Sequence, residues 1–291
     1  MGTIYREGTV SAQDGLSLYY RDYGDKLADG PVVLCLPGLT RNSKDYHSLA
    51  AHLSGSYRVI CPDYRGRGRS EYDLNYKNYH PVTYINDLHH LLTALNIHQI
   101  VSIGTSMGGI LTMALAAVVP SMLLGAVIND VGPEVDTSGI ERIAAYIGDD
   151  TPQPNWGAAV SHLKKVMNDP GLQTEDDWLG LAKSSYKETA TGDLRIDWDP
   201  AIAKALTEQK QEAVDLWPLF KALGDRPILG VHGAVSDILS ADTFDAMEKA
   251  LPNFTGITIP NVGHTPSLKE KGVPEAIGGL LETVRRNLTG Q

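Results

Sequence analysis

The sequence predicts an α/β fold: a mostly parallel sheet with helices on both faces, interrupted by an inserted helical subdomain. Three observations carry this. Short, continuous apolar runs such as Val32 to Leu36, Tyr57 to Cys61, Ile97 to Ile103 and Leu123 to Ile128 read as strands buried on both faces. Stretches of helical period lie between them. The alternation stops after Pro133 and resumes at Pro227, which leaves too long a segment to be a structureless loop.

Each element follows in order. Thr9-Val10 and Leu16 to Tyr20 flank Asp14-Gly15, a hairpin signal. Pro31 opens the strand Val32 to Leu36, which runs into Pro37-Gly38-Leu39 and then a helix from about Lys44 to Leu53. The strand Tyr57 to Cys61 ends in Pro62-Asp63-Tyr64-Arg65-Gly66-Arg67-Gly68-Arg69-Ser70. From Val82 to Leu95, Tyr84-Ile85, Leu88, Leu91-Leu92 and Leu95 recur at helical spacing. Glu134 to Trp217 is polar, with helix-like segments broken at Thr151-Pro152-Gln153-Pro154, Asp169-Pro170-Gly171 and Thr191-Gly192. A strand at Pro227 to Val231, a helix from about Ala241 to Leu251, a strand at Gly256 to Ile259 and a helix from about Val273 to Leu288 complete the chain. The division expected is one domain from 1–133 and 218–291, with 134–217 as a helical cap.

Composition narrows the function. The chain has 291 residues, 42% hydrophobic and 21% charged, ordinary for a globular protein. Its formal net charge of −10, without a basic stripe, argues against a nucleic-acid partner. Nothing approaches the roughly 18 consecutive apolar residues that span a bilayer. Met1 to Val10 carries Arg6 and Glu7 and no apolar h-region, so a cytoplasmic protein without membrane association is expected. Cys35 and Cys61 end apolar runs and read as buried free thiols. Asn287-Leu288-Thr289 matches a glycosylation acceptor, but no secretion signal accompanies it.

The chemistry gathers on Gly104-Thr105-Ser106-Met107-Gly108-Gly109. A G-x-S-x-G between strand and helix is a nucleophile elbow, in which a strained turn holds a serine hydroxyl above the sheet edge. A serine hydroxyl needs a base, and the base needs a carboxylate to orient it. His162, His232 and His264 are the histidines after the elbow. His264, in Gly263-His264-Thr265-Pro266 after the last strand, stands at the carboxyl end of the sheet, where such folds place their sites. His232 reads as structural and His162 falls in the insertion. Asp237, after the strand Ile228 to Val231, is the preferred carboxylate, and Asp130, after Ile128, is its competitor. The oxyanion donors expected are the backbone N–H groups of Leu39 and Met107. His89 and His90 beside Asp87 do not form a metal site, because neighbours on a helix do not face one another.

With these motifs in this order, the chain resembles the α/β-hydrolase fold superfamily, in the lidded branch of small esterases, lactonases and carbon–carbon bond hydrolases. Leu36-Pro37-Gly38, Asp63 to Ser70, Gly104 to Gly109, Ser236-Asp237 and Gly263-His264 carry the likeness, and the insertion lies outside it. The resemblance implies an eight-stranded sheet and acyl transfer by Ser106, His264 and Asp237, without metal or organic cofactor. Two departures stand out. Many relatives have a histidine where this chain has Pro37, and Ser106 replaces the aspartate nucleophile of the dehalogenases. The expected substrate is a small carboxylic ester, followed by a lactone or enol-lactone and then a vinylogous diketone. A small-molecule receptor on the same fold is the non-enzymatic alternative. Trp156, Trp178, Trp198 and Trp217 all fall in the insertion or at its end, where they would either roof an apolar or aromatic acyl group or fill the insertion's own core. Arg41, past the oxyanion loop, is either a contact for a substrate carboxylate or a solvated side chain.

Overall fold

A computed structural model of the chain describes residues 4–167, 171–172, 174–208 and 215–290. Its strands are β1 (Tyr5–Ser11), β2 (Ser17–Tyr23), β3 (Val32–Leu36), β4 (Val59–Pro62), β5 (Ile100–Thr105), β6 (Leu123–Asn129), β7 (Tyr186–Glu188), β8 (Leu194–Ile196), β9 (Ile228–Gly233) and β10 (Phe254–Ile259). The helices are α1 (His47–Leu53), α2 (Pro81–Ala94), α3 (Met107–Val118), α4 (Thr137–Ile147), α5 (Trp156–Val166), α6 (Glu175–Ser185), α7 (Ala201–Glu208), α8 (Trp217–Lys221), α9 (Ala241–Ala250) and α10 (Val273–Thr289).

Eight strands form one sheet in the order β1-β2-β4-β3-β5-β6-β9-β10. The pairs β1–β2 and β2–β4 are antiparallel, and from β4 to β10 every pair is parallel. Continuous apolar strands result because both faces are covered. Along β3, Leu34 and Leu36 join a core with Leu88, Leu92 and Leu111 from α2 and α3, while Val33 and Cys35 join another with Ala50, Ile277 and Leu281 from α1 and α10. Each buried Val, Leu or Ile among them contributes about 1.5–3 kcal/mol of apolar transfer.

Several boundaries differ from the sequence reading for local reasons. Ile97, expected to open a strand, instead closes α2 through its N–H to Leu92 O at 2.8 Å, so β5 begins at Ile100. Tyr57 N–H bonds Leu53 O at 3.0 Å and finishes the turn after α1, so β4 begins at Val59. The helix expected from Lys44 starts as a 3₁₀ turn, Ser43–Tyr46, capped by the Asn42 side chain. Cys35 and Cys61 are buried and free, and burial pushes the Cys61 thiol well above its ordinary range.

Between β6 and β9, which are neighbours in the sheet, the chain makes α4 to α8 and the β7–β8 hairpin. The hairpin was not expected, because both strands are three residues long and leave almost no alternation to read. The Asp169-Pro170 break lies outside the described residues. The insertion meets the body along a backbone seam: Gly68 N–H donates to Asp197 O at 2.9 Å and Asp199 N–H to Gly66 O at 2.7 Å. No helix among the described residues is long and apolar enough to cross a membrane.

Candidate active site

Ser106 sits between the last residue of β5 and the first of α3 with φ 52° and ψ −118°. Residues with side chains occupy that region only under constraint. The constraint is local: Ser106 N–H donates to Asn129 O at 2.9 Å, and Gly109 N–H returns to Ser106 O at 2.8 Å. The two flanking glycines are required by contact. A Cβ at Gly104 would stand 2.3 Å from Gly108 O, and one at Gly108 would stand 2.0 Å from Leu36 O. Strand and helix therefore pass closer than any larger residue allows.

β5 and β6 are in register at Thr105 with Asn129, and β6 and β9 at Asn129 with Val231. Ser106 and Asp130 consequently leave the sheet side by side at its carboxyl edge. His264, in the loop after β10, joins them. Its Nε2 lies 2.9 Å from Ser106 Oγ and its Nδ1 lies 2.7 Å from Asp130 Oδ2. With a carboxylate accepting at Nδ1, that nitrogen carries the proton, and the Nε2 lone pair faces the serine hydroxyl. Asp130 is completely buried and has φ 54°. Gly233 N–H donates to its Oδ1 at 2.8 Å, and the Ser236 hydroxyl donates to its Oδ2 at 2.6 Å. The buried Asn129 ties the two loops together, its Nδ2 donating to Thr105 Oγ1 at 3.1 Å and to Pro266 O at 2.9 Å.

Asp237, the carboxylate preferred from sequence, is not the one on His264. Arg142 of α4 grips it with Nε to Oδ2 at 2.6 Å and Nη2 to Oδ1 at 2.9 Å. The Arg142 guanidinium holds its carboxyl below the ordinary carboxylate range. The reason for the difference is position. The end of β9 itself, at Gly233, touches Asp130, and Ser236 fills the remaining space beside that carboxylate. By Asp237 the loop has turned outward, leaving its side chain 37% exposed. The signal for Asp130 was its place directly after the strand next to β5, and strand adjacency is not written in the sequence.

The loop after β3 packs against the elbow: a Cβ built on Gly38 would lie 3.7 Å from Ser106 Cβ. Three successive carbonyls of this loop are held. Pro37 O accepts from Tyr64 OH at 3.1 Å, Gly38 O from Arg41 N–H at 3.1 Å, and Leu39 O from Arg67 Nε at 2.8 Å. In a planar trans peptide the N–H points opposite to the C=O, so fixing the carbonyls fixes the amides. Met107 is the first residue of α3, and a first-turn amide has no carbonyl partner within its own helix. Its position at the helix N-terminus adds the positive end of the helix dipole.

The other residues singled out from the sequence stand elsewhere. His232 is buried, stacks on Phe244 at 5.0 Å and bonds Leu239 O through Nε2 at 3.0 Å. His162 meets Tyr186 OH at 2.7 Å. Asp87 pairs with Arg65. Arg41 is neither solvated nor free for a substrate: it holds Asp45 through two bonds and reaches Ser184 and Ser185 of α6. Trp178 and Trp198 are buried in the core, their indole N–H groups donating to Leu172 O and Ile147 O. Trp217 donates to Glu134, and Trp156 lines a cavity of about 540 Å³ with Val160, Lys164 and Leu179. Among the described residues no group of three or more His, Cys, Asp or Glu side chains is placed to hold a metal ion. Arg142, Asn129 and Arg67 were not foreseen, since a polar residue's service to a neighbouring loop leaves no periodic signal.

A family model for the alpha/beta hydrolase fold matches residues 31–271. The 3-hydroxybutyrate-oligomer hydrolase of Cupriavidus necator is 34% identical over 257 residues, covering 85% of this chain and 87% of that protein. The 2-(acetamidomethylene)succinate hydrolase of Mesorhizobium japonicum is 24% identical over 243 residues, covering 81% and 82%. Among solved structures, an alpha/beta hydrolase from Novosphingobium aromaticivorans has a TM-score of 0.91 at 42% identity, covering 97% of this chain and 99% of that one.

Proposed function

This chain belongs to the α/β-hydrolase fold family and is a hydrolase, and from that premise we propose that it cleaves a carboxylic ester of a short hydroxy acid by serine acyl transfer. Ser106 is the nucleophile, His264 the base and Asp130 the acid, with the Leu39 and Met107 amides as oxyanion donors. The observation that carries this reading is the unbroken hydrogen-bonded path from Ser106 Oγ through His264 to Asp130.

The steps follow from the geometry. Ser106 Oγ attacks the ester carbonyl while its proton passes to His264 Nε2. The carbonyl oxygen becomes an oxyanion and meets the two amides, which are already oriented. Asp130 stabilises the imidazolium through Nδ1. The proton on Nε2 then goes to the departing alcohol oxygen. Water repeats the sequence on the acyl-enzyme and releases the acid.

Residues 134–217 act as a cap over this site, on a body made of 1–133 and 218–291. The substrate class draws its support from the Cupriavidus necator relative, whose name specifies oligomers of 3-hydroxybutyrate. An aromatic acyl group draws less support, because Trp178 and Trp198 are taken up by core packing.

The test is turnover of 3-hydroxybutyrate dimer and trimer beside panels of p-nitrophenyl esters and of lactones, for wild type and Ser106→Ala. Turnover of the oligomers, lost in Ser106→Ala, is expected. Preference for lactones moves the substrate to cyclic esters. Ligand binding without Ser106-dependent turnover on any panel makes the protein a receptor and overturns the reading.

A further inference from the structure

Arg67 is fully buried, and among the described residues the structure pairs it with no carboxylate. Its neighbours in sequence differ. Arg65 meets Asp14, Asp73 and Asp87, and Arg69 meets Glu7. Burying a guanidinium without a counter-charge is expensive, so its surroundings need an account. Nε donates to Leu39 O at 2.8 Å, and Nη1 donates to Arg65 O and to Tyr84 OH, both at 2.8 Å. Nη2 is buried without a partner. The rings of Tyr84, Tyr79 and Tyr64 lie 4.9, 5.5 and 6.0 Å from its Cζ, and their electron-rich faces offset part of the charge. A net positive charge is thus kept directly behind Leu39.

We propose that Arg67 is a positioning residue for the oxyanion hole: it locks the Leu39–Thr40 peptide and keeps an uncompensated cation behind the loop that faces Ser106. This rests on the reading of Ser106 as nucleophile and the Leu39 amide as donor. Gly38 to Arg41 form a turn closed by Arg41 N–H on Gly38 O. The central peptide of such a turn, here Leu39–Thr40, is the unit that distinguishes its alternative forms by rotating. Arg41 N–H holds the carbonyl of the Gly38–Leu39 peptide, which carries the Leu39 N–H, and Arg67 Nε holds the carbonyl of the next peptide, so the turn that presents the Leu39 amide is held at both peptides flanking Leu39. The cation adds a second effect. An ester carbonyl is neutral and the tetrahedral intermediate is anionic, so a buried positive charge nearby favours the intermediate over the bound substrate.

Arg67 also lies in a backbone bridge with Trp198 of the insertion, so the test must separate positioning from stability. Arg67→Met and Arg67→Lys are compared with wild type for kcat, KM, thermal unfolding and inhibition by butylboronic acid, which forms a tetrahedral adduct on a nucleophilic serine. For Arg67→Met, kcat falls about 10- to 100-fold, at or below the loss seen when a whole oxyanion donor is removed. KM stays nearly constant, and the boronate inhibition constant rises in parallel with the fall in kcat. Arg67→Lys keeps the charge and loses the fork, so it recovers part of kcat. Unchanged kcat and boronate affinity overturn the proposal, whatever happens to the unfolding temperature. A rise in KM alone also overturns it, since that identifies a substrate contact. Should Arg67→Met fail to fold, Arg67→Lys decides alone, and wild-type kcat in that variant overturns the positioning role. Absence of Ser106-dependent turnover in wild type overturns the underlying site reading together with this one.

Discussion

Asp130 Oδ2 lies 2.7 Å from His264 Nδ1, whereas Asp237 is clasped by Arg142 through both carboxylate oxygens. The two aspartates leave adjacent strands, yet only the buried one faces the imidazole. Asp130→Asn keeps the shape but presents an amide, which disturbs the histidine tautomer. Its kcat is expected to fall about 10³- to 10⁴-fold. Asp237→Asn should stay within a few-fold of wild type. Steady-state kinetics on one ester for both variants checks this, and the reverse ranking would return the acid role to Asp237.

The Asp237–Arg142 pair has its own acid signature. Its folded carboxyl is held below the ordinary value of about 3.9. Stability from the pair is therefore fully present above that value and is lost as pH falls through the lowered folded value. Both side chains are more than a quarter exposed, so the contribution is under about 1 kcal/mol. Urea unfolding of wild type and Asp237→Asn should show a small difference at neutral pH that vanishes on acidification.

Two glycine-to-alanine changes should have opposite signs. Gly108→Ala forces a Cβ to within 2.0 Å of Leu36 O and must push α3 off β3. A loss of more than about 3 kcal/mol, or no folded protein, is expected by analogy with overpacked cores. Gly279 is on the exposed face of α10 with open space around its Cβ direction. Gly279→Ala should gain about 0.5–1 kcal/mol of stability from helix propensity. Thermal unfolding of the pair decides the matter.

Asn129→Ala removes the donor that ties Thr105 to Pro266. The Asn129 Oδ1 is buried without a partner, so its deletion offsets part of the lost bonding. The stability loss is expected to stay within about 2 kcal/mol. Turnover should fall about tenfold, because misplacement of His264 by fractions of an ångström is costly to rate. A kcat equal to wild type would show that the His264 loop holds itself.

What the chain discloses before folding is uneven, and the reason is physical. The elbow is legible because crowding at Gly104 and Gly108 leaves a residue pattern within a few positions. The strands are legible because burial on both faces demands apolar runs. Asp130 and Asp237 cannot be ranked this way, since each follows a strand and only the β5-β6-β9 order separates them. Arg67 is hidden for another reason. It stands in a run of alternating arginines and glycines in which nothing local singles it out, while its partner Leu39 lies in a different loop.

The seam between Gly66-Gly68 and Asp197-Asp199 joins main-chain bonds to side-chain ones, with Asn42 and Lys44 donating to the Asp197 carboxylate and Tyr79 OH to that of Asp199. Main-chain bonding is indifferent to which side chains the insertion presents on its inner surface. Residues there that make none of these contacts can change without breaking the main-chain bonds to Gly66 and Gly68. A library confined to such positions leaves both the main-chain seam and the Ser106–His264–Asp130 geometry untouched.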